Sequence, residues 1–317
     1  MRRYGRTHHG WVENHPLAKG QRKILQAYDR HLRQVVGLAP KTCHDRWRDL
    51  NGFLKSVSIK QVKDLAELTP IDLVNYLTER SAHYEPASLR NLGSSLRHFL
   101  RFARQRGWVQ QALDLAVPKI ACGAQNDLPV YLSTQQLGSL LAAWDDTTPE
   151  GARDLAIGVC LAKLGLRAGE VAALRLEDID WRQGTLRIRQ SKNGRPAQLP
   201  LRADVGAALA GYLRRGRPVC RQRQVFLLTP GARPMSAQAI SRVIRQALKR
   251  CQIDVPRPGA HLLRHTLASH LVQNGASLKE VADLLRHRDL NSASVYAHVD
   301  IPNLAKLAQP WPTEATL

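Results

Sequence analysis

Residues 185–201 read TLRIRQSKNGRPAQLPL, and their period differs from that of the chain on either side. From Thr185 to Arg189 apolar and polar side chains alternate, the two-residue period of a half-buried strand. Asn193-Gly194 is a strong signal for a type I′ turn, because both residues tolerate the left-handed backbone that such a turn needs. Ala197–Leu201 then returns as a second strand, and Asp178–Trp181 in front is expected to add a third. Elsewhere apolar residues recur at spacings of three and four. The fold class predicted is therefore mainly α with a small antiparallel β-sheet.

After the sheet, helices are expected at about 203–214, 236–251, 261–273 and 277–286, the last opened by a capping box of Ser277 and Glu280. Before it, Ala152–Leu164 reads as a buried helix stopped by Gly165, and Ser133-Thr134 caps a helix through Leu140 and Leu141. Residues 117–130 (VPKIACGAQNDLPV) lose periodicity and hold two Pro and one Gly, which marks a linker. Upstream of it, Trp47, Leu50, Phe53 and Leu54 recur at helical spacing. Thr69-Pro70 opens a helix whose apolar stripe is Leu73, Val74 and Leu77. A helix from Ser88 to Gln105 turns Leu89, Leu92, Leu96, Phe99, Leu100 and Phe102 inward. The layout expected is a flexible basic tail (1–20), a helical domain (21–116), the linker (117–130), a second domain (131–300) and a C-terminal tail (301–317).

Charge narrows the partner. The 317 residues carry 47 Lys+Arg against 26 Asp+Glu, a formal net charge of +21. It is unevenly spread: +11 over 1–120, −5 over 121–180 and +15 over 181–300. Two basic blocks around an acidic one suit a polyanion approached from two sides, and phosphate neutralisation makes nucleic acid the favoured partner. Aromatics at 5% are too few for the stacking platforms of single-strand binders, which favours duplex DNA. The acidic stretch is expected to be the buried and domain-facing part of the second domain. No apolar run approaches the ~18 residues of a membrane span, and the start MRRYGRTHHGW lacks the apolar region of a secretory signal. The five Cys (Cys43, Cys122, Cys160, Cys220, Cys251) form no CxxC pair, which argues against a disulfide framework or a structural zinc site. A cytoplasmic protein is expected.

Four places could carry chemistry. His261 and Arg264 share a helix face near an expected N-terminus, where free amides favour an oxyanion; a capping His and an Arg paired to a carboxylate is the plainer alternative. His261, His265 and His270 could also suggest zinc, but no HExxH glutamate or nearby ligand supports it. Arg167 follows Gly165 in a tight turn, and Glu170, three residues on, either holds its guanidinium or favours the start of the next helix. Lys192 is aimed by the Asn193-Gly194 tip, where a lysine is ordinarily just solvated; groove contact and proton donation are the alternatives. Tyr296 follows Leu284-Leu285-Arg286-His287 by nine residues from His287.

Taken in order, Arg167, Lys192, His261, Arg264, His287 and Tyr296 resemble the active site of tyrosine recombinases, the phage-integrase family. The stretches that carry the resemblance are GLRAGEVAALRLEDID, SKNGR, HLLRHTLASHLVQNGASLKEVADLLRH and SVYAHV, within Leu132–Val299. Residues 21–117 are similar, more weakly, to the family's helical core-binding domain. The family usually has Asp where this chain has Leu262, and Gly where it has Arg286.

The resemblance implies a catalytic domain in which Tyr296 attacks a phosphodiester and forms a 3′-phosphotyrosyl link. Arg167, Arg264 and His287 would stabilise the charge, His261 would serve as base, and Lys192 would protonate the leaving 5′ oxygen. Glu170 would support Arg167, and Lys192 and Arg195 would touch DNA. It implies no metal, ATP or other cofactor. The partner would be double-stranded DNA, clamped by both domains. A homotetramer would form on synapsed sites, from a chain that is monomeric or weakly oligomeric when free, in the bacterial cytoplasm at the nucleoid. The tail after Tyr296 would dock on a neighbour. Two other functions fit the same residues: a type IB topoisomerase, or a DNA-binding architectural protein with a degenerate site.

Overall fold

Pro40, Pro70 and Pro86 each stand in the first turn of a helix, where a missing N–H leaves nothing unbonded, and they set three helix starts in the first half of the chain. The computed structural model describes residues 19–120, 129–189, 196–286 and 295–296. It divides into two compact units, residues 1–125 and 126–317.

In the first unit α1 (Lys19–Arg30) runs into a π-helical turn (His31–Val35), followed by α2 (Pro40–Ser56), a 3-10 turn (Val62–Glu67), α3 (Pro70–Ser81), α4 (Pro86–Gln105) and the short α5 (Leu113–Ala116). Helix α1 thus begins inside the stretch expected as tail, while residues 1–18 lie outside those described. The core joins Ile24, Leu25 and Tyr28 of α1 to Trp47, Leu50, Phe53 and Leu54 of α2 and the six expected residues of α4. On α3 the Thr69 cap is real: its main-chain N–H donates to Asp72 at 2.8 Å. The stripe differs from expectation. Val74 is 39% exposed, and Tyr76 joins Leu73 and Leu77 in the core instead, edge-on to Phe53 at 5.2 Å. Tyr76 follows Leu73 by three residues and so shares its face of the helix, where a phenol ring offers more area to bury than Val. Val117 is buried in the same core and Ile120 packs against it, so this core reaches into the stretch expected as linker.

The second unit opens with α6 (Thr134–Ala142), capped by Ser133 through a capping box with Gln136. Next come α7 (Pro149–Leu164), α8 (Ala168–Ala173), a 3-10 turn (Leu176–Asp178) and the antiparallel sheet β1 (Ile179–Asp180), β2 (Thr185–Ile188) and β3 (Ala197–Pro200). Its register pairs Ile179 with Leu186 and Leu186 with Leu199, so one face is apolar and buried, as the alternation predicts. The hairpin tip falls within residues 190–195, outside those described. The chain continues through α9 (Ala203–Arg215), a two-stranded ribbon of β4 (Leu227–Leu228) and β5 (Arg233–Pro234), α10 (Ala237–Arg250), α11 (Ala260–Gln273) and α12 (Leu278–Leu284). The ribbon was not anticipated: two-residue strands are too short to show a period.

Helix α7 is central. Its small and apolar residues Ala156, Ile157, Cys160 and Leu161 are buried, and it packs against α9 and α11. Leu262 is buried in this core, so an apolar residue suits its place on α11. A satellite core forms where α11 meets α12, from Ala268, Val272, Val281, Ala282, Leu285 and Tyr296. The acidic stretch only partly meets expectation. Glu170 and Asp178 are buried, whereas Asp145, Asp146 and Glu150 are exposed. Among the described residues no helix is long and apolar enough to cross a membrane.

Candidate active site

The site is built around the turn that ends α7. Gly165 closes that helix in the left-handed conformation, at φ +58°. A Cβ here would lie 2.6 Å from Cδ2 of Leu285 and 3.0 Å from Cδ2 of Leu267, so close packing as well as backbone calls for glycine. Two residues later Arg167 is the N-cap of α8. Glu170 then serves both uses open to it in the sequence. Its Oε2 accepts the Arg167 main-chain N–H at 2.9 Å, and its Oε1 accepts from the Arg167 guanidinium at 2.9 Å.

Helix α11 brings the second arginine. Arg264 is 1% exposed, and its guanidinium donates from Nη1 to the Gly165 carbonyl and from Nη2 to the Leu285 carbonyl. These bonds tie the ends of α7 and α12 to α11, where the plainer sequence alternative had a carboxylate partner. Burial, and then repulsion from Arg167 and Arg286, lower its pKa to about 10. Arg264 is still a cation at neutral pH.

Arg286, just past the C-cap of α12, adopts φ +56°. Its side chain is 11% exposed and its Nη2 donates to Glu170 Oε2 at 2.8 Å. Burial pushes its pKa down, opposed by Glu170. Two guanidiniums therefore share one carboxylate.

Tyr296 is 1% exposed, and its hydroxyl lies 2.8 Å from Nδ1 of His265. Burial raises its pKa to about 12, with Arg264 pulling the other way. The expected base was His261, but the side chain that meets the phenol is His265. His261 is exposed in the first turn of α11, its ring 4.6 Å from that of His265 at 70°. In the sequence His265 stands within the HLLRH stretch and as one of three histidines at near-helical spacing, with no catalytic role assigned to it. The signal available was its place beside Arg264 and one turn after His261. The third, His270, bonds the Leu132 carbonyl at 2.8 Å through Nε2. Among the described residues no group of three or more His, Cys, Asp or Glu is placed to hold a metal ion. The structure thus gathers Arg167, Glu170, Arg264, His261 and Tyr296 around α11, and adds His265 and Arg286. Lys192, Arg195 and His287 lie outside the described residues.

The chain is similar to known proteins in sequence and in fold. The pattern of the phage integrase family matches residues 131–301, and that of the phage integrase N-terminal SAM-like domain matches residues 25–107. A putative integrase/recombinase of Sinorhizobium fredii is 38% identical over 306 residues, covering 96% of this chain and 74% of that protein. The tyrosine recombinase XerC of Oceanobacillus iheyensis is 29% identical over 286 residues, covering 87% of this chain and 91% of that one. The fold is shared with XerH site-specific recombinase bound to palindromic difH substrate, at TM-score 0.70 and 18% identity over 90% of this chain and 84% of that one. It is also shared with a lambda integrase tetramer bound to a Holliday junction, at TM-score 0.67 and 18% identity over 93% of this chain and 80% of that one. With its catalytic pattern matched over more than half its length, the chain belongs to the phage integrase family of tyrosine recombinases, site-specific DNA breaking and rejoining enzymes.

Proposed function

We propose that this chain recombines two duplex DNA sites with Tyr296 as nucleophile. The observation that carries this reading is the 2.8 Å contact of the Tyr296 hydroxyl with His265, one residue from the buried cation Arg264. A phenol held up at about 12 is neutral at physiological pH, so it needs a base and a positive field to attack. His265 is the base in contact, and Arg264 supplies the field.

In the step proposed, the phenolic oxygen bonds to phosphorus, its proton passes to His265, and the bond from phosphorus to the 5′ oxygen breaks. That oxygen takes a proton from Lys192 and leaves as a 5′ hydroxyl. One P–O ester replaces another, so the bond energy is kept for rejoining and no ATP enters. Arg167 offers a planar fork to the non-bridging oxygens, where charge accumulates, Arg264, held by the Gly165 and Leu285 carbonyls, adds its positive charge there, and His261 and His287 add hydrogen bonds. Glu170 holds Arg167, and Arg195 beside the hairpin tip adds a phosphate contact.

Double-stranded DNA is the partner, engaged by both units, and a homotetramer assembles on synapsed sites from a free monomer or weak oligomer. The net charge of +21 supports DNA as partner, and the likeness to bacterial recombinases supports work at the nucleoid in the bacterial cytoplasm.

The test begins by selecting cleaved sequences from a random duplex library, then places the selected site in a suicide duplex. Wild type forms a covalent protein–DNA adduct that Tyr296→Phe does not. Tight binding by wild type without an adduct refutes the reading.

A further inference from the structure

Arg286 holds a conformation that costs about 1 kcal/mol for a residue with a Cβ, since φ +56° lies in the left-handed region. It also buries a guanidinium, at 11% exposure of the side chain, and leaves its Nε without a hydrogen-bond partner. Glycine would remove both costs. What the arginine adds is charge beside Glu170. That carboxylate is buried and already neutralises Arg167, with 2.9 Å contacts to its main chain and its side chain. A cation paired to a carboxylate attracts an incoming phosphate far less than a free one, because the pair is close to a dipole. Glu170 therefore fixes Arg167 in place and cancels it electrostatically at the same time. Arg286, 2.8 Å from Oε2, returns the missing charge: the trio is +1 with it and neutral without it.

We propose that Arg286 is a positioning residue that offsets Glu170, so that Arg167 is both held and available as a cation to the scissile phosphate. This rests on the reading of Arg167 as a phosphate ligand. The chemistry recognised is a singly charged phosphodiester, which enters a cluster of Arg167, Arg264 and Arg286 in which Glu170 is the one carboxylate in contact among the described residues.

The relation separates charge from packing. Arg286→Gly suits the backbone, so it folds with a thermal midpoint no lower than wild type. It is expected to form the covalent adduct about tenfold more slowly at saturating protein, with duplex affinity changed less than about threefold. Arg286→Lys keeps the charge and stays near the wild-type rate. Adding Glu170→Gln to Arg286→Gly removes the carboxylate that now cancels Arg167, so the double variant cleaves faster than Arg286→Gly alone. A purely structural role predicts the reverse, a further loss. Arg286→Gly cleaving at the wild-type rate, or a double variant no faster than Arg286→Gly, overturns the inference while leaving Tyr296 as nucleophile intact. Absence of any wild-type adduct overturns the nucleophile reading and this inference together.

Discussion

The hydroxyl of Tyr296 rests 2.8 Å from Nδ1 of His265, and His265 is the immediate chain neighbour of Arg264, which carries the bonds to Gly165 and Leu285. One helical turn thus holds both the group that meets the phenol and the cation that lowers its pKa. His265→Ala is expected to slow adduct formation by about a hundredfold, the size of a lost general base, with duplex binding unchanged in a mobility-shift assay. An unaltered rate would return the role of base to His261.

Tyr296 also makes a prediction at high pH. Its folded pKa is raised to about 12 by burial, against an ordinary value of 10.0. The fold thus favours the protonated phenol: the resulting stability is fully present below pH 10 and is lost as pH rises toward 12. Alkaline denaturation of wild type should steepen across that window, and Tyr296→Phe, which has no proton to lose, should not show this component.

Arg264 is structural as well as charged. Arg264→Met would leave the Gly165 and Leu285 carbonyls without the guanidinium that they share. The expected loss is about 2–4 kcal/mol in urea denaturation, from the unmet carbonyls and the loosened helix ends. Any cleavage defect in this variant is therefore to be read at a temperature and protein concentration where the variant is shown to be folded.

Gly165→Ala puts a methyl group 2.6 Å from Leu285 Cδ2 at a residue with φ +58°. Backbone strain of about 1 kcal/mol and overpacking of about 1–3 kcal/mol add up to a clear drop in thermal midpoint. Leu285→Val in the same chain removes the clashing Cδ atom and recovers part of it. No recovery would assign the cost to the backbone alone.

The first unit carries an acid-sensitive histidine. His98 accepts from or donates to the Tyr28 hydroxyl at 3.0 Å, and burial, with Arg46 next, lowers its pKa to about 4. Here the folded pKa lies below the unfolded one, so the stability is present above about pH 6.5 and is lost as pH falls toward 4. For a half-buried ring the loss is about 1–2 kcal/mol. Urea denaturation at pH 7 and pH 5 reads it, and His98→Gln should flatten the difference.

How far these features could be read from the sequence depended on whether they rest on local or distant groups. Ser133, Thr69 and Ser277 announce helix starts because a cap acts within three residues, and the structure has all three capping boxes. The β2–β3 pairing follows from the alternation of Leu186, Ile188 and Leu199. Choosing Tyr76 over Val74 on α3 depends on where Phe53 stands, which a single helix does not encode. In the site, Arg167 and Glu170 are three residues apart and their pairing was legible. The Tyr296–His265 contact spans 31 residues and that of Arg286 with Glu170 spans 116, and both exist only once α8, α11 and α12 have met.

Arg264 reaches two carbonyls, one 99 and the other 21 residues away along the chain. Until the ends of α7 and α12 have arrived, that guanidinium has no fixed direction, and under the proposed reading there is no cradle for a phosphate. A chain still folding, or one opened along that seam, would bind DNA by its charge yet leave the strand uncut. Under that reading, cleavage waits on the meeting of α7, α11 and α12.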